Sequence, residues 1–175
     1  APIRKNLIVG AASAVGLLAC ILAANFVTTR YGMVPVGFGL MATAGTYFAG
    51  LTFVLRDSLQ DAAGKTWTLG MIAAGAALSF LLADPFIAQA SAVAFLLAEV
   101  SDLAVYTPLR KRGYVRAAIA SYVVGSFVDT IAFLTIAGFP IQEALAGQMV
   151  GKLVVTAAAV VLVVAFRVWR KARKA

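Results

Sequence analysis

Apolar runs long enough to cross a bilayer recur along most of the chain, separated by short clusters of glycine, proline and charge. A helix needs about 20 apolar residues to cross a hydrocarbon core of roughly 30 Å. The runs predict six such helices, over 7–28, 34–55, 67–83, 86–106, 117–139 and 144–168. The breaks fall at Tyr31-Gly32-Met33-Val34-Pro35, Ala63-Gly64, Asp84-Pro85, Thr107-Pro108, Gly113 and Gly138-Phe139-Pro140, where glycine frees φ or proline removes an N–H. Connections and tails use the remaining positions, so the pattern leaves no room for a soluble domain. The expected fold is a single all-α polytopic membrane domain over 1–175. The first run is too long for a signal-peptide core and lacks a convincing cleavage site, so it too is expected to be a membrane helix.

Composition agrees with the pattern: 62% of the residues are hydrophobic and 13% charged, which excludes a water-soluble globule. A single cysteine, Cys20, and no histidine remove a disulfide framework, a thiolate metal site, the usual zinc ligands and the commonest general base. The net charge of +8 would suit nucleic acid, but the basic residues are sorted by side. Counting alternate sides of the six spans, Arg30 alone falls opposite the N-terminus, Lys152 falls inside a span, and all the other Lys and Arg share the N-terminal side. The positive-inside rule then makes both termini cytoplasmic. The tail from Arg167 to Lys174 reads as a topology determinant touching anionic headgroups, with no nucleic-acid partner. The expected location is the cytoplasmic (inner) membrane, multi-pass.

Apart from Arg167 at the very end of the last span, four charged residues nevertheless fall inside spans: Glu99, Asp102, Asp129 and Lys152. Each costs roughly 2.5–3.5 kcal/mol near the bilayer centre on insertion scales, so such residues usually line a bundle interior or an aqueous cavity. Phe95, Glu99, Asp102 and Tyr106 follow i, i+4, i+7, i+11, and Tyr122, Ser126, Asp129 and Phe133 repeat that spacing, so each set shares one helix face. Gln148, Lys152 and Thr156 form a third stripe, and Asn25 supplies an amide near the end of the first span. Lys152 pairing with Asp129 or Glu99 to hold helices together would be a purely structural use of these groups. That use leaves an excess of carboxylates over the one ammonium, which a proton, a cation or a cationic ligand must balance. Taken singly, Phe95, Tyr122 and Phe133 also suit packing between helices.

At the end of the second span, Phe53-Val54-Leu55-Arg56-Asp57-Ser58-Leu59-Gln60-Asp61 reads either as a solvated loop with an Arg56/Asp57 pair or as gate and scaffold, with Arg56, Asp57 and Asp61 as its polar residues. Its spacing of aromatic and acid parallels Phe95 to Asp102, which suggests repeated two-helix units. Small residues are frequent in the first span (Gly10, Ala14, Gly16, Ala19, Ala23) and the third (Gly70, Ala73, Ala74, Ala77). They permit close helix packing in lipid, or a docking surface for another membrane protein.

These residues resemble the vitamin uptake transporter family, which includes queuosine precursor transporters. The family pattern F-L-I-T-D-L-V-N-E-V-Y-G-K is similar to Phe53–Lys65, with Phe53, Asp57, Gly64 and Lys65 in place. The pattern F-x-x-S-E-x-x-D-x-x-V-Y-x-x-L-R resembles Phe95–Arg110, keeping Phe95, Glu99, Asp102, Val105, Tyr106, Leu109 and Arg110. D-S-x-x-F is similar to Asp129-Thr130-Ile131-Ala132-Phe133, and a lysine in the last span fits Lys152. The chain departs from the family where Gln60-Asp61 stand for Asn-Glu, Ala63 for Tyr and Arg56 for Thr.

The resemblance implies uptake of 7-deazaguanines such as preQ0 and preQ1, and a six-helix fold similar to the substrate-binding subunits of energy-coupling-factor transporters. The residue chemistry is compatible: a carboxylate accepts the paired N–H groups of a guanine-like edge, and an aromatic ring stacks on its flat face. Glu99 or Asp129 is expected to read that edge, with Phe95 or Phe133 stacking. Lys152, Gln148 or Asn25 would donate to the carbonyl or nitrile, and Asp102 would balance Lys152 or an aminomethyl cation. Tyr106 and Tyr122 complete the expected set. The expected partners are a purine-like small molecule and the lipid bilayer, with a homo-oligomer or an energising membrane partner as further options. No cofactor and no resident metal is implied. A binding subunit of a multi-component vitamin transporter is the alternative function. An acid-rich membrane enzyme holding Mg²⁺ at Asp57, Asp61, Glu99 and Asp102 is a weaker one, since no nucleophile and base stand together.

Overall fold

The first apolar run forms one uninterrupted helix, α1 (Pro2–Tyr31), in the computed structural model, which describes residues 2–173. Gly32, at φ 60°, then turns the chain into a two-stranded antiparallel hairpin, β1 (Met33–Gly37) and β2 (Leu40–Thr43). Its register pairs Met33 with Thr43, Val34 with Ala42 and Pro35 with Met41, and slips between Pro35 and Gly37. The tip is Gly37-Phe38-Gly39, all at positive φ, and Phe38 is 97% exposed. The expected helix over 34–55 is therefore corrected: nearly its first half is this hairpin, and helix α2 occupies Thr46–Ala63. Pro35 cannot donate to a helix and pushes the residue before it to extended backbone. The glycines at 32, 37, 39 and 45 add backbone freedom that a helix would have to give up. The fold is thus helical with one small hairpin rather than wholly α.

The remaining helices are α3 (Lys65–Leu82), α4 (Pro85–Leu109), α5 (Tyr114–Ala137) and α6 (Ile141–Ala172), with a 3₁₀ turn at Arg110–Arg112 between α4 and α5. Five helices are long and apolar enough to cross a membrane: Leu7–Tyr31 within α1, α3, α4, Ile119–Ala137 within α5 and Ile141–Leu162 within α6. Helix α2 is not among them, because Arg56, Asp57 and Asp61 fall within its 18 residues. Helix ends follow the punctuation. Gly64 at φ 88° closes α2, and Gly138 at φ 75° closes α5 in the left-handed conformation, its N–H bonding back to Leu134 and Thr135 carbonyls.

Short connections make successive helices antiparallel, which brings both ends of the described chain to one end of the bundle and the hairpin to the other. Helices α4 and α5 pack chiefly on each other, while α1 packs on α2 and α3, and α6 packs on α2 and the hairpin. Leu17, Leu59 and Ile72 form the buried apolar cluster where α1, α2 and α3 meet. Glycines allow the closest approaches. A Cβ at Gly50 would stand 3.0 Å from the Lys152 backbone, and one at Gly147 would overlap the Met41 carbonyl. In α1, Gly10 faces Ala62 and Ala63, and Gly16 faces Leu55, so these two serve internal packing. In α3, Gly70, Ala73, Ala74 and Ala77 are exposed.

Candidate functional site

The half of the bundle nearest the hairpin contains a small cavity, about 60 Å³ inside and about 570 Å³ when the open space at its mouth is counted. Five helices and the hairpin contribute to it. Asn25 and Thr28 come from α1, Thr43 from β2, Thr46, Thr52 and Phe53 from α2, Ser91 and Phe95 from α4, Asp129 and Phe133 from α5, and Gln148 and Lys152 from α6. The α2, α6 and hairpin residues among these are buried, whereas Ser91, Phe95, Asp129 and Phe133 are partly exposed. The mouth therefore lies toward α4 and α5.

One ion pair anchors the site. Lys152 Nζ donates to Asp129 Oδ2 at 2.6 Å and to Thr130 Oγ1 at 2.8 Å. Lys152 is 1% exposed, so its charge depends on this pairing. An ammonium has three donors, which leaves one N–H beyond these two bonds. Asp129 Oδ1 has no hydrogen-bond partner among the described residues. Thr130 in turn donates to the Ser126 carbonyl at 2.8 Å, which fixes the hydroxyl as an acceptor toward the lysine.

Two amides complete the polar lining. Asn25 Nδ2 donates to Ser79 Oγ at 2.8 Å, and Gln148 Nε2 donates to Thr43 Oγ1 at 2.9 Å. Each amide nitrogen is engaged, and neither carbonyl oxygen has a partner among the described residues. Thr43 is held by Thr46, whose hydroxyl donates to the Thr43 carbonyl at 2.7 Å, and Gly45 N–H donates to Thr28 Oγ1 at 3.0 Å. The hairpin base is thereby stitched to α1, α2 and α6. Below the pair, Phe53 forms the floor. It meets Tyr122 edge-on, with ring centroids 5.4 Å apart and planes at 75°. Tyr122 shares a 2.6 Å hydrogen bond with Thr156, which donates to the Gly50 carbonyl at 3.0 Å.

Of the residues singled out from sequence, Asn25, Phe95, Asp129, Phe133, Gln148 and Lys152 come together around the cavity. Glu99, Asp102, Tyr106 and Tyr122 are not in its lining. Glu99 is ion-paired with Arg56, which also donates to Asp57 at 3.0 Å and 2.8 Å. Asp102 stands beside Gly125 where α4 crosses α5, and Tyr106 is half-buried about one turn further on. Arg56 is buried with its Cζ 5.5 Å from the centre of the Phe53 ring, while Asp57 and Asp61 are exposed. Asp129, not Asp102, is the residue that pairs with Lys152. No group of residues suited to a metal ion occurs among those described, so Asp57, Asp61, Glu99 and Asp102 do not assemble into an Mg²⁺ site.

Sequence reasoning missed Phe53 as a lining residue and missed the hydroxyl wall of Thr28, Thr43, Thr46, Thr52 and Ser91. The parallel between Phe53 and Phe95 carried a signal for the first, since both rings face the cavity. The hydroxyls carried none, because Ser and Thr are ordinary in apolar helices, where they bond back to their own backbone.

Residues 79–167 match the family model described as "Putative vitamin uptake transporter". The matched span takes in α4, α5 and most of α6, with Glu99, Asp102, Asp129 and Lys152, and leaves out Phe53–Lys65. No curated protein and no solved structure gives a significant match.

Proposed function

Because the chain belongs to the vitamin uptake transporter family, we propose that this multi-pass membrane protein imports a 7-deazaguanine such as preQ0 or preQ1 across the cytoplasmic membrane, binding it in the cavity around Asp129 and Lys152. The observation that carries this reading is that the Lys152–Asp129 pair shares one cavity with the partly exposed rings of Phe95 and Phe133. Asp129 Oδ1 and the carbonyl oxygens of Asn25 and Gln148 make the lining rich in acceptors. A guanine-like heterocycle presents its N1–H, exocyclic amine and pyrrole N–H as donors, and the remaining Lys152 N–H suits its carbonyl. The rings offer stacking faces. Asp129 is thus the favoured reader of the donor edge, and Glu99 acts elsewhere.

Thermal-shift measurements on the solubilised protein against purines, deazapurines and vitamins test the ligand class, since stabilisation follows ligand concentration over Kd. A selective response to deazaguanines is expected. Uptake of labelled preQ0 or preQ1 that persists in the Glu99→Gln, Asp129→Asn double variant would overturn the site assignment. A binding subunit served by an energising membrane partner is the second reading, favoured by the exposed small-residue face of α3 at Gly70, Ala73, Ala74 and Ala77. Uptake by the purified chain alone in liposomes would exclude it.

A further inference from the structure

The cavity ends abruptly at Phe53. On α2 its lining runs from Gly45 to Phe53 and no further, on α4 it stops at Phe95, and on α6 it stops at Lys152. Phe53 is 4% exposed and wedged edge-on against Tyr122. Arg56 lies about 4.5 Å further along α2, and Glu99 about 6 Å beyond Phe95 along α4, at 1.5 Å rise per residue. The two meet in an ion pair directly beneath the aromatic floor, with the Arg56 guanidinium over the Phe53 ring.

The fold gives this layer its mechanical meaning. The α4–α5 pair is a unit packed mainly on itself, and the backbones of α2 and α4 hardly approach each other. Among the described residues, two ion pairs tie that unit to the rest: Arg56 of α2 to Glu99 of α4, and Lys152 of α6 to Asp129 of α5. Both cations stand on the α1–α2–α6 side and both acids on the α4–α5 side. Asp102, three residues beyond Glu99 on the same helix, is within electrostatic reach of Arg56. When α4 moves away from α2, Arg56 keeps its bonds to Asp57 on its own helix, so the guanidinium is not left bare.

We infer that Phe53, held by the Arg56–Glu99 pair, is the gate between the cavity and the end of the bundle that carries the chain ends. The gate opens when α4–α5 moves away from α2. This rests on the reading of the chain as a carrier but not on the identity of its ligand.

The test is side-specific labelling that needs no ligand. In a Cys20→Ala background, Thr52→Cys places a thiol in the cavity wall beside the floor, and Lys65→Cys places an exposed control at the chain-end face. A membrane-impermeant maleimide is applied to vesicles of each orientation. From the chain-end face, Thr52→Cys is expected to label at least tenfold more slowly than the control. Adding Glu99→Gln or Phe53→Ala is expected to raise that rate at least tenfold, and the charge exchange Arg56→Glu with Glu99→Arg to restore protection. Free labelling of the parent from the chain-end face overturns the gate, and so does protection that survives both Glu99→Gln and Phe53→Ala. Two gate variants keep the test decisive if one fails to fold. Normal gating with no response to any deazaguanine would sink the proposed ligand and leave the gate standing.

Discussion

Replacing Lys152 by methionine keeps the volume and apolar stem of the side chain but removes the cation paired with Asp129. The lysine is 1% exposed and bonds Asp129 at 2.6 Å and Thr130 at 2.8 Å. Breaking one side of a buried pair costs at most about 3–5 kcal/mol, and here the stranded charge is Asp129, which is partly exposed. For a chain of this length each kcal/mol moves the unfolding midpoint by about 2–4 °C, so Lys152→Met is expected to lower it by several degrees and by no more than about 20 °C. Adding Asp129→Asn removes the stranded charge, and the double variant is expected to recover more than half of the loss. The assay is thermal unfolding in one detergent at fixed pH, read as a double-mutant cycle. Additive losses, or a single variant within about 2 °C of the parent on the same scale, would refute the claim that the pair is a dependent unit. The double variant should also lose the deazaguanine-induced shift although it is folded, since its cavity no longer offers a carboxylate.

Gly50→Ala sets a Cβ 3.0 Å from the Lys152 backbone, and Gly147→Ala drives one into the Met41 carbonyl. Each is expected to lower stability by about 1–3 kcal/mol, as overpacking does, and Gly147→Ala should also hasten proteolysis within 33–43. Phe133→Ala removes a ring at the mouth, and deazaguanine affinity is expected to fall about 5- to 150-fold, the equivalent of about 1–3 kcal/mol of base stacking. Asn25→Leu removes the bond to Ser79 and one acceptor oxygen from the cavity. It is expected to weaken deazaguanine binding more than hypoxanthine binding in competition uptake assays, because hypoxanthine lacks the exocyclic amine.

The sequence revealed which helix face each polar residue occupies but not its depth along the bundle. Phe95, Glu99 and Asp102 do share a face of α4, yet Phe95 lines the cavity while Glu99, about 6 Å further down the axis, meets Arg56. On α5 the same spacing brought Asp129 and Phe133 to the cavity and left Tyr122 beneath its floor. Depth depends on how far each helix is shifted against its neighbours, which close contacts such as Gly50 against Lys152 determine, and no periodicity within one helix encodes it. The hairpin was obscured for a different reason. Val34, Val36, Leu40, Met41 and Ala42 are as apolar as a span, and hydropathy averages over Pro35 and its neighbouring glycines, whose backbone chemistry rules out a continuous helix.

The position of Lys152 in the last helix also bears on how the protein is made. Chains emerge from the ribosome N-terminus first, so α4 and α5 are synthesised and available to pair with each other before α6 exists. During that interval Asp129 has no lysine to meet. The Arg56–Glu99 pair can already tie α4 to α2, but the second tie, to Asp129, waits for α6. Arrival of α6 supplies Lys152 and Gln148 together, so a single late insertion both neutralises the acid and clamps the hairpin base. Closure of the bundle is thus deferred until α6 is in the membrane.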